Sequence, residues 1–218
     1  MAPRLTTVTR YNTHDEYSVD FFGSDLFVTV TATPSVIRRW IRTAVFLHRR
    51  SHYNQPLVVG VGVQWTPAGY YSGRYYAESP AETLQLCLGK RCIIIQLSHC
   101  ERVPRILRRF LVDPKITLVG VWNGQDARKL EQSSHGLGIG ELVDIRQYVV
   151  DSEGFSLSRC SFEVVVEVCM GYRGVRLDPA ISMTDWGVCD LSHGQILQAS
   201  IKAYVCCMLG VWESLGEV

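Results

Sequence analysis

Pro56-Leu-Val-Val-Gly-Val-Gly-Val-Gln-Trp-Thr-Pro67 is an unbroken apolar, β-branched run closed by a proline at each end. A strand buried on both faces of a parallel or mixed sheet reads this way, whereas a half-buried strand alternates. Gly60 and Gly62 fall inside the run, where glycine weakens a strand unless another backbone or a ligand comes close. The run therefore predicts a central strand with something pressed against it.

On the N-terminal side, residues 1–16 are polar and read as a frayed end. Tyr17–Phe22 and Leu26–Thr33 read as strands of a hairpin turning at Gly23-Ser24-Asp25. Thr33-Pro34 is a helix start, and the helix runs to about Arg50. Val36, Ile37, Trp40, Ile41, Ala44 and Val45 form its apolar stripe; Arg38, Arg39, Arg42, Arg49 and Arg50 make the rest basic. Those arginines suit a solvated face or a nucleic-acid footprint, and charge pattern alone leaves both open.

On the C-terminal side, Gly69–Tyr76 holds four tyrosines and an arginine, a composition suited to stacking on unpaired bases or to packing against another subunit. Thr83–Leu88 and Cys92–Leu97 are strands joined at Gly89-Lys90. A helix over Val103–Leu111, a strand over Ile116–Val121, a helix over Asn123–Glu131 and a short strand over Leu142–Ile145 follow. Phe162–Met170 is helical up to Gly171, and Met183–Trp186 is a loop. Ser192-His-Gly-Gln195 has the form of a capping box opening a last helix to about Val211. The order is that of one continuous α/β unit, with residues 17–218 as a single domain and 17–55 as an N-terminal hairpin-and-helix extension.

Composition narrows the class. With 218 residues there is room for one well-buried domain. A net charge of +1 excludes a globally basic nucleic-acid binder, so any such surface comes from local clustering. No run reads as a membrane span, and the N-terminus lacks an apolar signal segment. Eight cysteines show neither a CxxC pair nor zinc-finger spacing, which predicts a reduced intracellular chain, cytoplasmic and also nuclear.

From residue 56 onward the chain resembles the Werner-type 3′–5′ exonucleases of the DnaQ-like (DEDD) superfamily. The matching stretches are collinear: the central strand, Thr83-Leu-Gln-Leu-Cys87, Ile93–Leu97, Gly120-Val-Trp-Asn-Gly-Gln-Asp126-Ala-Arg-Lys129-Leu130, Val143-Asp144-Ile145, Thr184-Asp185-Trp186, and Leu191-Ser192 with Gln195, Ala199 and Ala203-Tyr204. Val-Gly-Val-Gln-Trp-Thr-Pro and Val-Trp-Asn-x-Gln-Asp look most like the small plant RISC-interacting clearing exoribonucleases. The resemblance implies a ribonuclease H-like mixed sheet flanked by helices. It also implies Mg²⁺ or Mn²⁺, single-stranded RNA as substrate, a ring-shaped homohexamer with its site at subunit contacts, and Argonaute/RISC as partner.

In such nucleases four carboxylates hold two divalent metals about 4 Å apart that activate water and clamp the phosphate. Here the first motif's Asp-x-Glu is replaced by Gly62 and Gln64, and the third motif's Tyr and Asp by Gln198 and Lys202; Asp126 alone stands in place. A Lys202 ammonium within about 5 Å repels Mg²⁺ by several kcal/mol at an effective dielectric of ~20, so the usual two-metal centre is not expected. Two readings follow. In one the chain is a nuclease with a rebuilt site: Asp126, Asp144 and Asp185 are the catalytic candidates, Asp126 the single metal-ligand candidate, and Gly62, Gln64, Trp65, Gln198 and Lys202 the nucleic-acid contacts. In the other the catalytic site is gone and the fold serves as a binding or assembly module. Asp144 and Asp185 also suit purely local roles, as a cap and a turn. Trp65 suits the core, and His99, His135 and His193 read as structural.

Overall fold

The computed structural model describes residues 2–51, 57–68, 79–213 and 215. Eight strands form one sheet: β1 (Arg4–Arg10), β2 (Asp15–Phe21), β3 (Ser24–Thr31), β4 (Leu57–Gln64), β5 (Thr83–Leu88), β6 (Arg91–Gln96), β7 (Ile116–Gly120) and β8 (Leu142–Asp144). Their order across the sheet is β1-β2-β3-β6-β5-β4-β7-β8. The α-helices among the described residues are α1 (Pro34–Ser51), α2 (Arg105–Leu111), α3 (Asp126–Glu131), α4 (Phe162–Met170), α5 (Pro179–Ser182) and α6 (His193–Trp212).

The apolar run is β4, and it is central. It pairs antiparallel with β5 and parallel with β7, so the sheet is mixed as the sequence implies. Period-two alternation splits its side chains between two cores. Val59, Val61 and Val63 join Ile37, Trp40 and Ile41 of α1 and Leu107, Phe110 and Leu111 of α2. Val58 joins Ala199, Ala203, Cys206 and Cys207 of α6 on the opposite face.

The extension is built into the sheet through parallel pairing of β3 with β6. Its hairpin turns at Phe22-Gly23, both with positive φ (53° and 83°), one residue earlier than the sequence reading placed it. Residues 4–10 are not frayed: they form β1, hydrogen-bonded along β2. Thr6, Thr7, Val8 and Thr9 are β-branched and suit a strand, but the strand is largely exposed, so it lacks the hydrophobic alternation that would announce it.

The last helix opens on the expected capping box, Ser192 with Gln195. At 20 residues and mean hydropathy 1.2, α6 has the length and apolarity of a membrane span, correcting the expectation that no run approaches one. With 78% of that window buried inside the protein, it is the core helix of the sheet. Gly171 ends α4 as expected, with φ 75°. The tyrosine-rich segment, residues 69–76, lies outside the described residues.

Candidate functional site

Two glycines set how closely α6 lies on the sheet. A Cβ on Gly60 would sit 1.8 Å from the Ala203 carbonyl oxygen and 2.7 Å from the Cys207 nitrogen. One on Gly210 would meet Val58 and Val119 at 2.8 and 2.9 Å. Helix backbone therefore rests directly on strand backbone, with α6 antiparallel to β4. The earlier turns of α6, carrying Gln198 and Lys202, lie toward the Gly62–Gln64 end. The thing pressed against the glycine-bearing strand is the last helix.

At Gly62 the void has a different occupant. Gln85 stands opposite in the antiparallel register, and its Oε1 lies 2.7 Å from where a Gly62 Cβ would be. Its Nε2 donates to Thr83 Oγ1 at 2.7 Å, while Oε1 is buried without a hydrogen-bond partner. A neutral amide from the next strand thus fills the place where the resemblance puts the first carboxylate.

Asp126 opens α3 just past the end of β7, 1% exposed, and its Oδ2 has no hydrogen-bond partner. Burial pushes its pKa up from 3.8 to about 6; the Lys202 ammonium pulls it down and the Asp144 charge pushes it up. Lys202, on α6, is itself 9% exposed. The structure therefore brings Asp126, Lys202 and Asp144 into one electrostatic neighbourhood. Asp144 is engaged locally: it ends β8, accepts from the Arg146 backbone N–H, and holds the guanidinium through Nε at 3.1 Å and Nη2 at 2.7 Å. Arg146 in turn lies over the Trp122 ring.

Gln198 is a strap. Its Oε1 accepts from the Asp178 N–H at 2.6 Å and its Nε2 donates to Ser182 Oγ at 2.8 Å, tying α5 to α6. Asp185 sits in a separate acidic cluster. Its Oδ1 accepts from the Gly187 N–H at 2.8 Å and lies 3.1 Å from Thr66 Oγ1; Thr66 also donates through N–H and hydroxyl to Glu82 Oε2. Burial raises the Glu82 pKa, the Thr66 hydrogen bonds lower it, and the Asp185 charge raises it further. Glu82 was missed from sequence; its place just before β5, level with the end of β4, was the available signal. Gln64 joins this end through its carbonyl, which accepts from the Glu82 N–H. Trp65 packs against the α1–α2 core with the Lys129 ammonium 5.2 Å from its ring centroid. His99 and His135 bond to the carbonyls of Gly187 and Leu97, and His193 meets the Tyr17 ring edge-on.

These residues do not fit a two-metal centre. Asp126 lies in the field of the Lys202 ammonium, Asp144 is held by Arg146, an amide fills the void at Gly62, and no three His, Cys, Asp or Glu side chains converge as ligands among the described residues.

No protein-family model matches the chain. It is 28% identical over 134 residues to a 3′–5′ exonuclease of Drosophila grimshawi, a match covering 57% of this chain and 39% of that relative. Among solved structures it superposes on the catalytic core of RRP6 from Trypanosoma brucei with TM-score 0.61, at 14% identity over 86% of this chain and 46% of that one. Brucella melitensis NrnC gives TM-score 0.54 at 14% identity over 75% of each chain. NrnC has also been solved bound to pGG and with Mg²⁺. The chain thus has the mixed-sheet, ribonuclease H-like fold of the 3′–5′ exonucleases and is similar to one of them in sequence.

Proposed function

We propose that this chain is an exonuclease-fold protein that binds the end of single-stranded RNA at the Gly62–Gln64 end of β4, beside the α6 turn that carries Lys202, without the standard two-metal hydrolysis. The observation that carries the reading is the Gln85 amide in the void at Gly62, with the Lys202 ammonium facing Asp126. In place of two cations this end of the sheet offers one ammonium, Lys202, for a phosphate. Gly62 keeps the strand backbone low. The NrnC complex with pGG supports a nucleic-acid ligand for the fold. By the resemblance to the small plant RISC-interacting clearing exoribonucleases the assembly is a homohexamer linked to small-RNA clearance with Argonaute, and by its cysteine usage the chain works in cytoplasm and nucleus.

A second reading keeps hydrolysis, with the acids outside the old motifs supplying it at a subunit contact. It is favoured by Glu82 and Asp185 sharing the Thr66 hydroxyl beside the end of β4, a paired-carboxylate arrangement at the correct edge of the sheet. One experiment separates the two. Single-stranded RNA labelled at either end is incubated with the protein, Asp126→Ala and Glu82→Gln, in Mg²⁺, Mn²⁺ or chelator. Binding without shortening, weakened in Lys202→Ala, is the expected result. Metal-dependent shortening from the 3′ end that is lost in either acid variant overturns the binding-only reading.

A further inference from the structure

The side of the sheet away from α6 has a different chemistry. There α1 and α2 hold eight of the chain's 18 arginines, with no lysine and no acidic residue in either helix. All eight are exposed: Arg38, Arg39, Arg42, Arg49 and Arg50 on α1, and Arg105, Arg108 and Arg109 on α2. The rest of the chain carries 14 Lys and Arg against 21 Asp and Glu. The near-neutral total therefore conceals a molecule with one basic face and a net acidic remainder, which orients an approaching polyanion toward the helices.

The arrangement within the face narrows the partner. Arg39, Arg42, Phe46 and Arg49 follow one another at three- and four-residue spacing, which places them on one stripe about 15 Å long. Phe46, in the middle, is 62% exposed. Guanidinium forks match phosphate oxygens in pairs, and an open ring among them stacks on an unpaired base. A bilayer is a poor fit, because Val36, Ile37, Trp40, Ile41 and Ala44 turn the apolar side of α1 into the protein and a surface-lying helix needs that side free. Counter-charge sits at the margins: Glu16 lines the groove beside Arg39 and is within 3.4 Å of His14, exposed Glu101 and Asp113 flank α2 in the chain, and Arg108 donates to the carbonyls of His135 and Gly136.

We propose that the α1–α2 arginine face is a second nucleic-acid surface, which takes the phosphate backbone of a single strand too long for the site at the Gly62–Gln64 end of β4 alone. It rests on the nucleic-acid reading above, but its residues are separate from that site. The test is fluorescence anisotropy with labelled single-stranded RNAs of three and of about 20 nucleotides across a salt series. The proteins are wild type, the Arg39→Glu/Arg42→Glu/Arg49→Glu triple variant, the corresponding triple lysine variant, and Lys202→Ala.

The glutamate triple variant binds the long RNA at least about tenfold more weakly, and its slope of log K against log salt is shallower by about two, since each phosphate contact on a single strand contributes about 0.7. Its binding of the trinucleotide is unchanged. The lysine triple variant keeps the slope while losing affinity, because charge remains and the fork is gone. Thermal melting matched to wild type confirms that these surface changes leave the fold intact. Long-RNA binding unchanged in the glutamate triple variant overturns the proposal. Trinucleotide binding unaffected by Lys202→Ala sinks the end-binding reading alone; no binding of either RNA by wild type sinks both.

Discussion

The two faces of β4 are made by alternate residues of one short strand, yet they follow different rules. Val59, Val61 and Val63 enter a dry core shared with α1 and α2, with no β4 glycine on that face. Gly60, Gly62 and Gln64 look the other way, where Gln85, Asp126, Gln195, Gln198, Ser200 and Lys202 are all buried. Burying polar groups with incomplete hydrogen bonding costs stability, and two of them, Gln85 Oε1 and Asp126 Oδ2, have orphaned atoms. The dry face is explained by folding alone. The polar face is not, and it is the side that carries the proposed RNA-end site.

The contrast can be broken by mutation, most sharply at Gly60. Gly60→Ala must push the α6 backbone off β4, since the added carbon would lie 1.8 Å from the Ala203 carbonyl oxygen. A loss of about 4 kcal/mol or more is expected in urea unfolding, at the extreme of single-residue effects. A loss below about 1 kcal/mol would mean that helix and strand are not in backbone contact.

Asp126→Asn should act in the opposite direction. The folded state holds the Asp126 proton at about 6 against an ordinary 3.8, so between these values it binds more protons than the unfolded chain. Stability contributed by this group is present below about pH 4 and is lost as pH rises through about 6. The variant is expected to be more stable by up to about 3 kcal/mol at pH 7.5, with the gain vanishing near pH 4, as read by thermal melts across pH. A variant less stable at neutral pH would show that Lys202 more than offsets the burial.

On the dry face Val61→Ala should cost about 2 kcal/mol and leave RNA binding unchanged, the signature of packing alone. Gln85→Leu gives the smallest stability change, within about 1 kcal/mol of wild type, because it removes an orphaned acceptor along with a single hydrogen bond to Thr83. Calorimetric unfolding compares the two directly. A loss above 2 kcal/mol for Gln85→Leu would show that its amide has a partner in solution.

Much of the fold was legible because its signals are local. The apolar run of β4, the Gly89 turn, the Ser192–Gln195 box and the Gly171 stop each announce an element within a few residues. β1 was not legible, since an exposed strand of threonines carries no hydrophobic period. The site was legible in its motif positions and not in its occupants. Nothing in Thr83-Leu-Gln-Leu-Cys87 says that its glutamine leans into Gly62; that depends on the register between β4 and β5, a tertiary fact. Glu82 escaped for the same reason, its partners Thr66 and Asp185 being brought to it by the fold. The Asp144 cap could be read because its arginine is two residues away.

The parallel seam between β3 and β6 constrains the order of assembly. Residues in the twenties are joined there to residues in the nineties, while β1, β2 and β3 pair with near neighbours and β5 and β6 form a hairpin of their own. Closing that long loop costs entropy that the seam recovers only once β6 has a formed edge to offer. The N-terminal three strands should therefore dock late in refolding and detach early in unfolding. In hydrogen exchange, the amides of β3 should open at lower free energy than those of β4, making this wing a cooperative unit of its own.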